Sequence, residues 1–372
     1  MSELKSSWTS RFRKQLVLLL VILCGLLSCL GVAYAENRET QKALSGEEIP
    51  AAGSRTSAAE AERQKREAGY GAWLTYWDAV PALLEQAQFG DRLEELVCFE
   101  VFFEENGDWL IPDETRMMLD ALRESDTMVY VSLVNDVQMA DGTVIQKSAD
   151  LLEQILSDRK ARSAHIAQIM ELVDQLDIGG IELDYENMKK DTRLWELYAK
   201  FLEELFPILE HNGVRLRAVM ECQAPQYAEF PAGPEYICMC YNLYGYHSGP
   251  GPKADGAFLE KLGESWKSVP GEVRMAFATG GFLWADNKVV KAMTEEAAAE
   301  YLEQKGIIAA RDAGSGALTA GFQGDQEYSV WYADGETLAC WRDTLQLMGY
   351  RHFDIFRLGG NCDTSLSEFL KK

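Results

Sequence analysis

The sequence predicts an α/β chain folded as a (β/α)8 TIM barrel, with a small insertion between strands 7 and 8. Eight short apolar runs rich in Val, Tyr and Phe succeed one another between residues 72 and 358. Longer segments of helical period separate them. One run, GGIELDYEN at 179–187, sets Glu182, Asp184 and Glu186 between Ile181, Leu183 and Tyr185, so a strand there sends all three acids to one face. An open doubly wound sheet is the alternative layout of the same alternation.

In chain order, Lys5, Arg11, Arg13 and Lys14 precede the apolar run LVLLLVILCGLLSCLGV and then Ala33-Tyr34-Ala35, the pattern of a signal peptide over residues 1–35. Leu26-Leu27-Ser28-Cys29 offers a second processing site that leaves a lipid on Cys29. A third reading is an uncleaved anchor, since a run of about 18 apolar residues just spans a bilayer. Under all three the rest of the chain is expected outside the cell, secreted or held at the surface, with membrane contact only through this N-terminal segment. Four positive charges and one negative leave with the segment, taking the formal net charge from −23 to −26. That balance argues against nucleic acid or an anionic surface as partner.

Residues 36–68 are rich in Ala, Glu and Ser and nearly free of large apolar side chains, as expected of a flexible linker. From residue 69 the barrel is expected to run to 372, as a monomer. Its strands are predicted at AWLTYW (72–77), ELVCFEVFF (95–103), MVYVSLV (128–134), GIELDYE (180–186), VRLRAVME (214–221), YICMCYN (236–242), RMAFATGGF (274–282) and HFDIFRL (352–358). Between them, SAHIAQIMELVDQL repeats apolar residues at Ile166, Ile169, Met170, Val173 and Leu176, a helix face. TRLWELYAKFLEELFPILEHNG closes on the Asn-Gly expected just beyond a helix end. Residues 286–328 exceed one crossover and combine a helical TEEAAAEYLEQKG with Gly-rich polar sequence, hence the insertion.

Six cysteines follow residue 35, at 98, 222, 238, 240, 340 and 362, without C-x-x-C spacing and several within apolar runs, so mostly buried thiols are expected. The four histidines are isolated from one another in sequence, which argues against a zinc site.

On pattern alone GGIELDYEN also fits a half-exposed antiparallel strand with its acids in water. A helix on each side makes it a parallel-sheet strand, which turns Ile181, Leu183 and Tyr185 toward helices and the acids into the barrel. Buried carboxylates are costly without partners, and neighbouring like charges raise at least one pKa, so the row is expected to do chemistry. Glu186, nearest the C-terminal mouth, is the natural general acid.

LDIGGIELDYEN (176–187) resembles the D-G-x-D-x-D-x-E signature on strand 4 of glycoside hydrolase family 18, the chitinase-like barrel enzymes. YICMCYNLYGYHSGPGPKAD is similar to strand 6 and the following loop of that family's bacterial cell-wall and spore-germination branch, and ADLLEQILSDRKARSAHIAQIMELVDQLDIGG and SVWYADGETLACWRDTLQLMGYRHFDIFRLGG resemble two further stretches of it. The resemblance implies retaining, substrate-assisted hydrolysis of a β-1,4 bond beside N-acetylglucosamine. The substrate's acetamido oxygen would attack the anomeric carbon while Glu186 protonates the leaving oxygen and then activates water. Asp184 would accept from the acetamido N–H and Tyr241 would donate to its oxygen. No metal or cofactor is implied.

The chain departs from the pattern at Gly179 and Glu182, where the signature has Asp, at Asn242, where strand 6 has Asp, and at Phe356, where the last strand has Trp. Glu182 keeps the charge and is expected to pair with Asp184. Asn242 removes a negative charge and Phe356 leaves a smaller apolar floor, changes expected to alter specificity more than chemistry. Trp77, Tyr244, Tyr246 and Trp284 stand at or beyond strand ends, where stacking on sugars and core packing are both open, and Glu221 and Gln223 end strand 5 beside the expected pocket. SGPGP (248–252) lacks a following Gly-Lys-Ser/Thr and reads as a rigid rim. The candidate partner is a glycan containing N-acetylglucosamine. A lectin on the same barrel and a structural surface protein are the competing functions, and retention of Glu186 speaks against the lectin.

Overall fold

A computed structural model describes residues 68–188 and 190–371, so the leader and most of the linker lie outside the described residues. Eight parallel strands close into a ring: β1 (Gly69–Thr75), β2 (Glu95–Glu104), β3 (Met128–Gln138), β4 (Gly180–Asp184), β5 (Arg215–Met220), β6 (Glu235–Met239), β7 (Val273–Ala278) and β8 (His352–Phe356). β8 pairs with β1 to complete the circuit, with Gly69 opposite His352 and Ala72 opposite Ile355. All eight expected runs are strands of this barrel, with ends moved by a few residues.

Helices form where the apolar period and the caps agree. The helix Arg159–Leu176 starts under Asp158, whose carboxylate accepts from the Lys160 and Ala161 N–H groups, and buries Ile166, Ile169, Leu172 and Val173 against the sheet. The helix Thr192–His211 is capped by Asp191 and stops where Gly213 takes φ 73°, a left-handed turn that suits glycine. Along β4 and just past its end the alternation sends Ile181, Leu183 and Tyr185 into this outer core.

Between β7 and β8 a second sheet of five antiparallel strands takes chain from Gly280 to Ala333, with the helix Glu295–Gln304 packed against it. β7 therefore ends at Ala278, short of the expected 282. The Gly-rich stretch is strand as well: Leu318–Gln323 and Glu327–Ala333 form a hairpin, burying Ala320, Val330 and Tyr332.

Barrel interiors are ordinarily layers of branched apolar residues, but the lower half of this one is ionic. Arg217 on β5 reaches Glu95 (2.7 Å), Glu182 (3.1 Å) and Asp354 (2.5 Å), and Arg274 on β7 reaches Asp354 at 2.7 Å. Glu235 on β6 lies 3.6 Å from Arg274 and 3.8 Å from Arg217. Arg217 also lies over the Tyr130 and Trp73 rings, at 5.0 and 5.5 Å. With Arg215, which reaches Glu95 at 3.1 Å from the barrel's edge, three cations face four acids, and protons make up part of the deficit. Burial pushes Glu235 up to about 7 and raises Glu182, while the two arginines outweigh burial at Asp354 and hold it below the usual carboxylate range.

This sets a pH dependence. Burial lifts Glu235 and Glu295 to about 7 and Glu100 to about 8. Each keeps a proton in the folded chain that the unfolded chain releases above about pH 4.3. The stability they lend is complete below that pH and is lost as pH rises through 7 to 8. His165, lowered to about 4 by burial, works the other way as a single group. Scanning calorimetry is expected to show the melting temperature falling from pH 5 to pH 7. A rise over that interval would contradict the assignment.

The six cysteines among the described residues are free: Cys98, Cys238 and Cys240 are buried, Cys222 and Cys362 half-buried and Cys340 exposed. The expectation of mostly buried thiols thus holds for half of them outright.

Candidate active site

β4 passes close to its neighbour at Gly180, where a Cβ would stand 2.5 Å from the Tyr130 ring. Beyond it the inward side chains climb the axis as Glu182, Asp184 and Glu186. Glu182 is fully buried and belongs to the ionic floor: Trp73 Nε1 donates to it at 2.7 Å and Arg217 lies at 3.1 Å. Its bonds run to these two groups and not to Asp184, because the longer side chain reaches the guanidinium below. Glu182 accordingly supports the site from beneath and does not line the cleft.

Above it opens a cleft of about 480 Å³ lined by Asp184, Glu186, Tyr241, Asn242, Phe356 and Trp77, among others. Phe356, Phe99 and Tyr241 make its aromatic floor, with centroids 5.8 Å apart for Phe99 and Phe356 and 6.4 Å for the nearly parallel Tyr241 and Phe356. Trp77, 49% exposed, stands at the rim with its ring edge-on to Phe99. Asn242 is exposed and takes φ 69°, a conformation asparagine tolerates.

Five other candidate residues fall outside this lining. β5 ends at Met220, and the chain then turns off the axis. Glu221 accepts from the Asn187 N–H at 3.2 Å and so braces the turn after Glu186, while Gln223 is exposed. Tyr244 covers Gly251, where a Cβ would come within 2.4 Å of its ring. Trp284 is buried in the inserted sheet against Phe282, and Tyr246 lies on the surface, 75% exposed.

The electrostatics of the pair are asymmetric. Burial first, and then the charge of Glu186, raise Asp184 well above the ordinary carboxylate range, against the opposing pull of Lys147. One Asp184 oxygen is buried without a hydrogen-bond partner. Tyr241 is raised by burial and by the same two acids, so it keeps its proton and remains a donor. Glu100, lifted to about 8 by burial and by Asp136 and Glu186, faces the same space.

Sequence reasoning did not find Asn135, Asp136, Glu100 or Lys147. Asn135, buried on β3 between the cleft-lining Val134 and Asp136, clamps the backbone of Glu186 from both sides, accepting from its N–H at 2.9 Å and donating to its carbonyl at 3.0 Å. The polar Asn-Asp following an apolar run at a strand's C-terminal end was a readable signal. Lys147 comes from the loop beyond β3 and ion-pairs with Glu186 at 2.5 Å, a contact no spacing announces.

No protein-family model matches the sequence, and no curated protein sequence matches it. Solved structures do match the fold. The chain is similar to the Bacillus cereus spore cortex-lytic enzyme SleL, with TM-score 0.67 and 17% identity over 82% of this chain and 74% of that one. It is similar to a chitinase from Chromobacterium violaceum, with TM-score 0.68 and 16% identity over 81% and 98%. A class V chitinase from Nicotiana tobaccum, of which a mutant was solved in complex with NAG4, gives TM-score 0.65 and 14% identity over 82% and 98%. At these identities the likeness shows a shared barrel fold.

Proposed function

We propose that a chain with the barrel of chitinases and of a spore cortex-lytic enzyme is itself a family 18 glycosidase, cutting the β-1,4 bond on the reducing side of an N-acetylglucosamine residue in peptidoglycan, chitin or N-glycan fragments. One observation carries the reading: Asp184 at the end of β4 and Glu186 two residues beyond it line the same cleft, over an aromatic floor and beside a protonated Tyr241. The partnerless Asp184 oxygen is what an acetamido N–H would fill.

In this mechanism the sugar rests on Phe356, and Tyr241 and Asp184 hold the acetamido group so that its carbonyl oxygen meets the anomeric carbon. The raised pKa of Asp184 means that the pair enters with a proton on Asp184. Once the acetamido N–H donates to Asp184, ionisation of that carboxyl is favoured, and the proton passes to Glu186 for delivery to the leaving oxygen. Glu186, now a carboxylate, takes a proton from the water that opens the oxazolinium ring. The reading includes export, on the strength of the leader pattern, and a monomer.

The test is release of reducing ends from chitin oligomers, purified peptidoglycan and an N-glycopeptide by residues 36–372, with Glu186→Gln alongside. Asn135→Ala is expected to lower kcat about 10- to 100-fold with KM nearly unchanged, because a loosened Glu186 backbone misplaces the acid by a fraction of an ångström. Steady-state kinetics check this. An unchanged kcat would show that the clamp does not position the acid.

A further inference from the structure

Lys147 is the only cation among the described residues that line the cleft, and it points at the acid that must deliver a proton. Its backbone is pinned. The Lys147 N–H donates to Asp136 at 2.7 Å, its carbonyl accepts from the Asn187 side chain at 2.8 Å, and its φ of 52° is one that a non-glycine residue rarely adopts. The segment before it folds back on β3 as a short antiparallel pairing, Val137 with Ile145 and Gln138 with Val144. The result is a strap of fixed backbone carrying a side chain that remains 49% exposed, while Glu186 is 14% exposed. Such a half-solvated ion pair is weak enough to exchange for another partner.

A leaving oxygen protonated by Glu186 has to sit within hydrogen-bond distance of that carboxyl, and the Lys147 ammonium stands there now. We propose that Lys147 is a positioning residue for Glu186: it holds the carboxylate in the empty site, gives way to the leaving oxygen when a glycan binds, and returns when the products depart. This inference rests on the hydrolase reading above. A second acid is at hand for the displaced ammonium, since Asp136 also attracts Lys147 and shares the cleft lining. The ammonium therefore has two stations, Glu186 in the free protein and Asp136 in the complex. The other ionisable groups lining the cleft with Glu186 are Tyr76 after β1, Glu100 on β2, Asp136 on β3, Asp184 on β4 and Tyr241 beyond β6, and none of these is a cation.

Two measurements on the full chain test this with Lys147→Met and Lys147→Arg. In the first, glutamate carboxyl carbons are labelled with 13C and titrated by NMR without glycan, the Glu186 signal being identified by its loss in Glu186→Gln. Loss of the ammonium in Lys147→Met is expected to move that signal's midpoint upward, and Lys147→Arg to restore it. A midpoint unmoved by Lys147→Met overturns the inference. In the second, the pH profile of hydrolysis is compared between variants. The basic limb of kcat/KM, which reports the free protein, is expected to shift upward in Lys147→Met, while the limb of kcat, which reports the complex, stays in place. Equal shifts in both would mean that the ammonium never leaves Glu186, and would overturn the exchange. Failure of wild-type protein to cut any glycan overturns the hydrolase reading and the exchange with it, leaving the NMR titration to decide the ion pair by itself.

Discussion

Glu186→Gln is expected to lower glycan hydrolysis by about three orders of magnitude, within the 10²- to 10⁴-fold range of a lost general acid. The amide keeps the shape and a hydrogen-bonding tip but cannot deliver the proton or take one from water. The side chain lines an open cleft and its backbone is fixed by Asn135, so the fold and melting temperature should be preserved. Binding of an N-acetylglucosamine oligomer should also survive, since the aromatic floor and Tyr241 are untouched. Calorimetric binding alongside product release measures both effects on one sample. Equal product release by variant and wild type would remove Glu186 from the mechanism.

Arg217→Met is expected to be the most damaging change to the fold. Arg217 is fully buried and touches three acids from three strands, so its removal leaves Glu182 without a cation and strips Glu95 and Asp354 of part of their countercharge, Glu95 keeping Arg215 at 3.1 Å and Asp354 keeping Arg274 at 2.7 Å. Removing one partner of a buried ion pair costs about 3–5 kcal/mol, a large share of a domain's net stability. Denaturant unfolding at pH 7 should show a loss of that size. The loss should shrink at pH 5, where orphaned glutamates take up protons more readily. A loss below about 1 kcal/mol would mean that the network stabilises far less than the usual buried pair.

Legibility differed by residue and for physical reasons. The eight strands were readable because each is a continuous Val-, Tyr- and Phe-rich run bounded by helices with good caps, and the acids on β4 were readable because alternation along a strand needs only local sequence. The ionic floor was not. Arg217 and Arg274 lie in VRLRAVME and VRMAFA, runs that look like half-exposed strands, and the partners of Arg217, Glu95 and Asp354, are 122 and 137 positions away in sequence. Glu182 was assigned to Asp184 for the same reason, since the neighbour it prefers comes from the next strand. The inserted hairpin hid its alternation because Gly321 and Gly324 interrupt the apolar period of LTAGFQGDQEYSVWYA. Lys147 lies 39 positions before Glu186 in a polar loop, and only the pinned backbone brings the two together.

In the proposed reaction the substrate's own acetamido oxygen is the nucleophile, held by Asp184 and Tyr241. Its most direct test is a series of aryl β-glycosides of the accepted glycan in which the reacting sugar carries acetyl, fluoroacetyl, difluoroacetyl or trifluoroacetyl on nitrogen. Each fluorine withdraws electron density from the carbonyl oxygen without changing the leaving group. With the acetamido oxygen as nucleophile, kcat/KM is expected to fall steeply and steadily along the series. A rate independent of fluorination would contradict it.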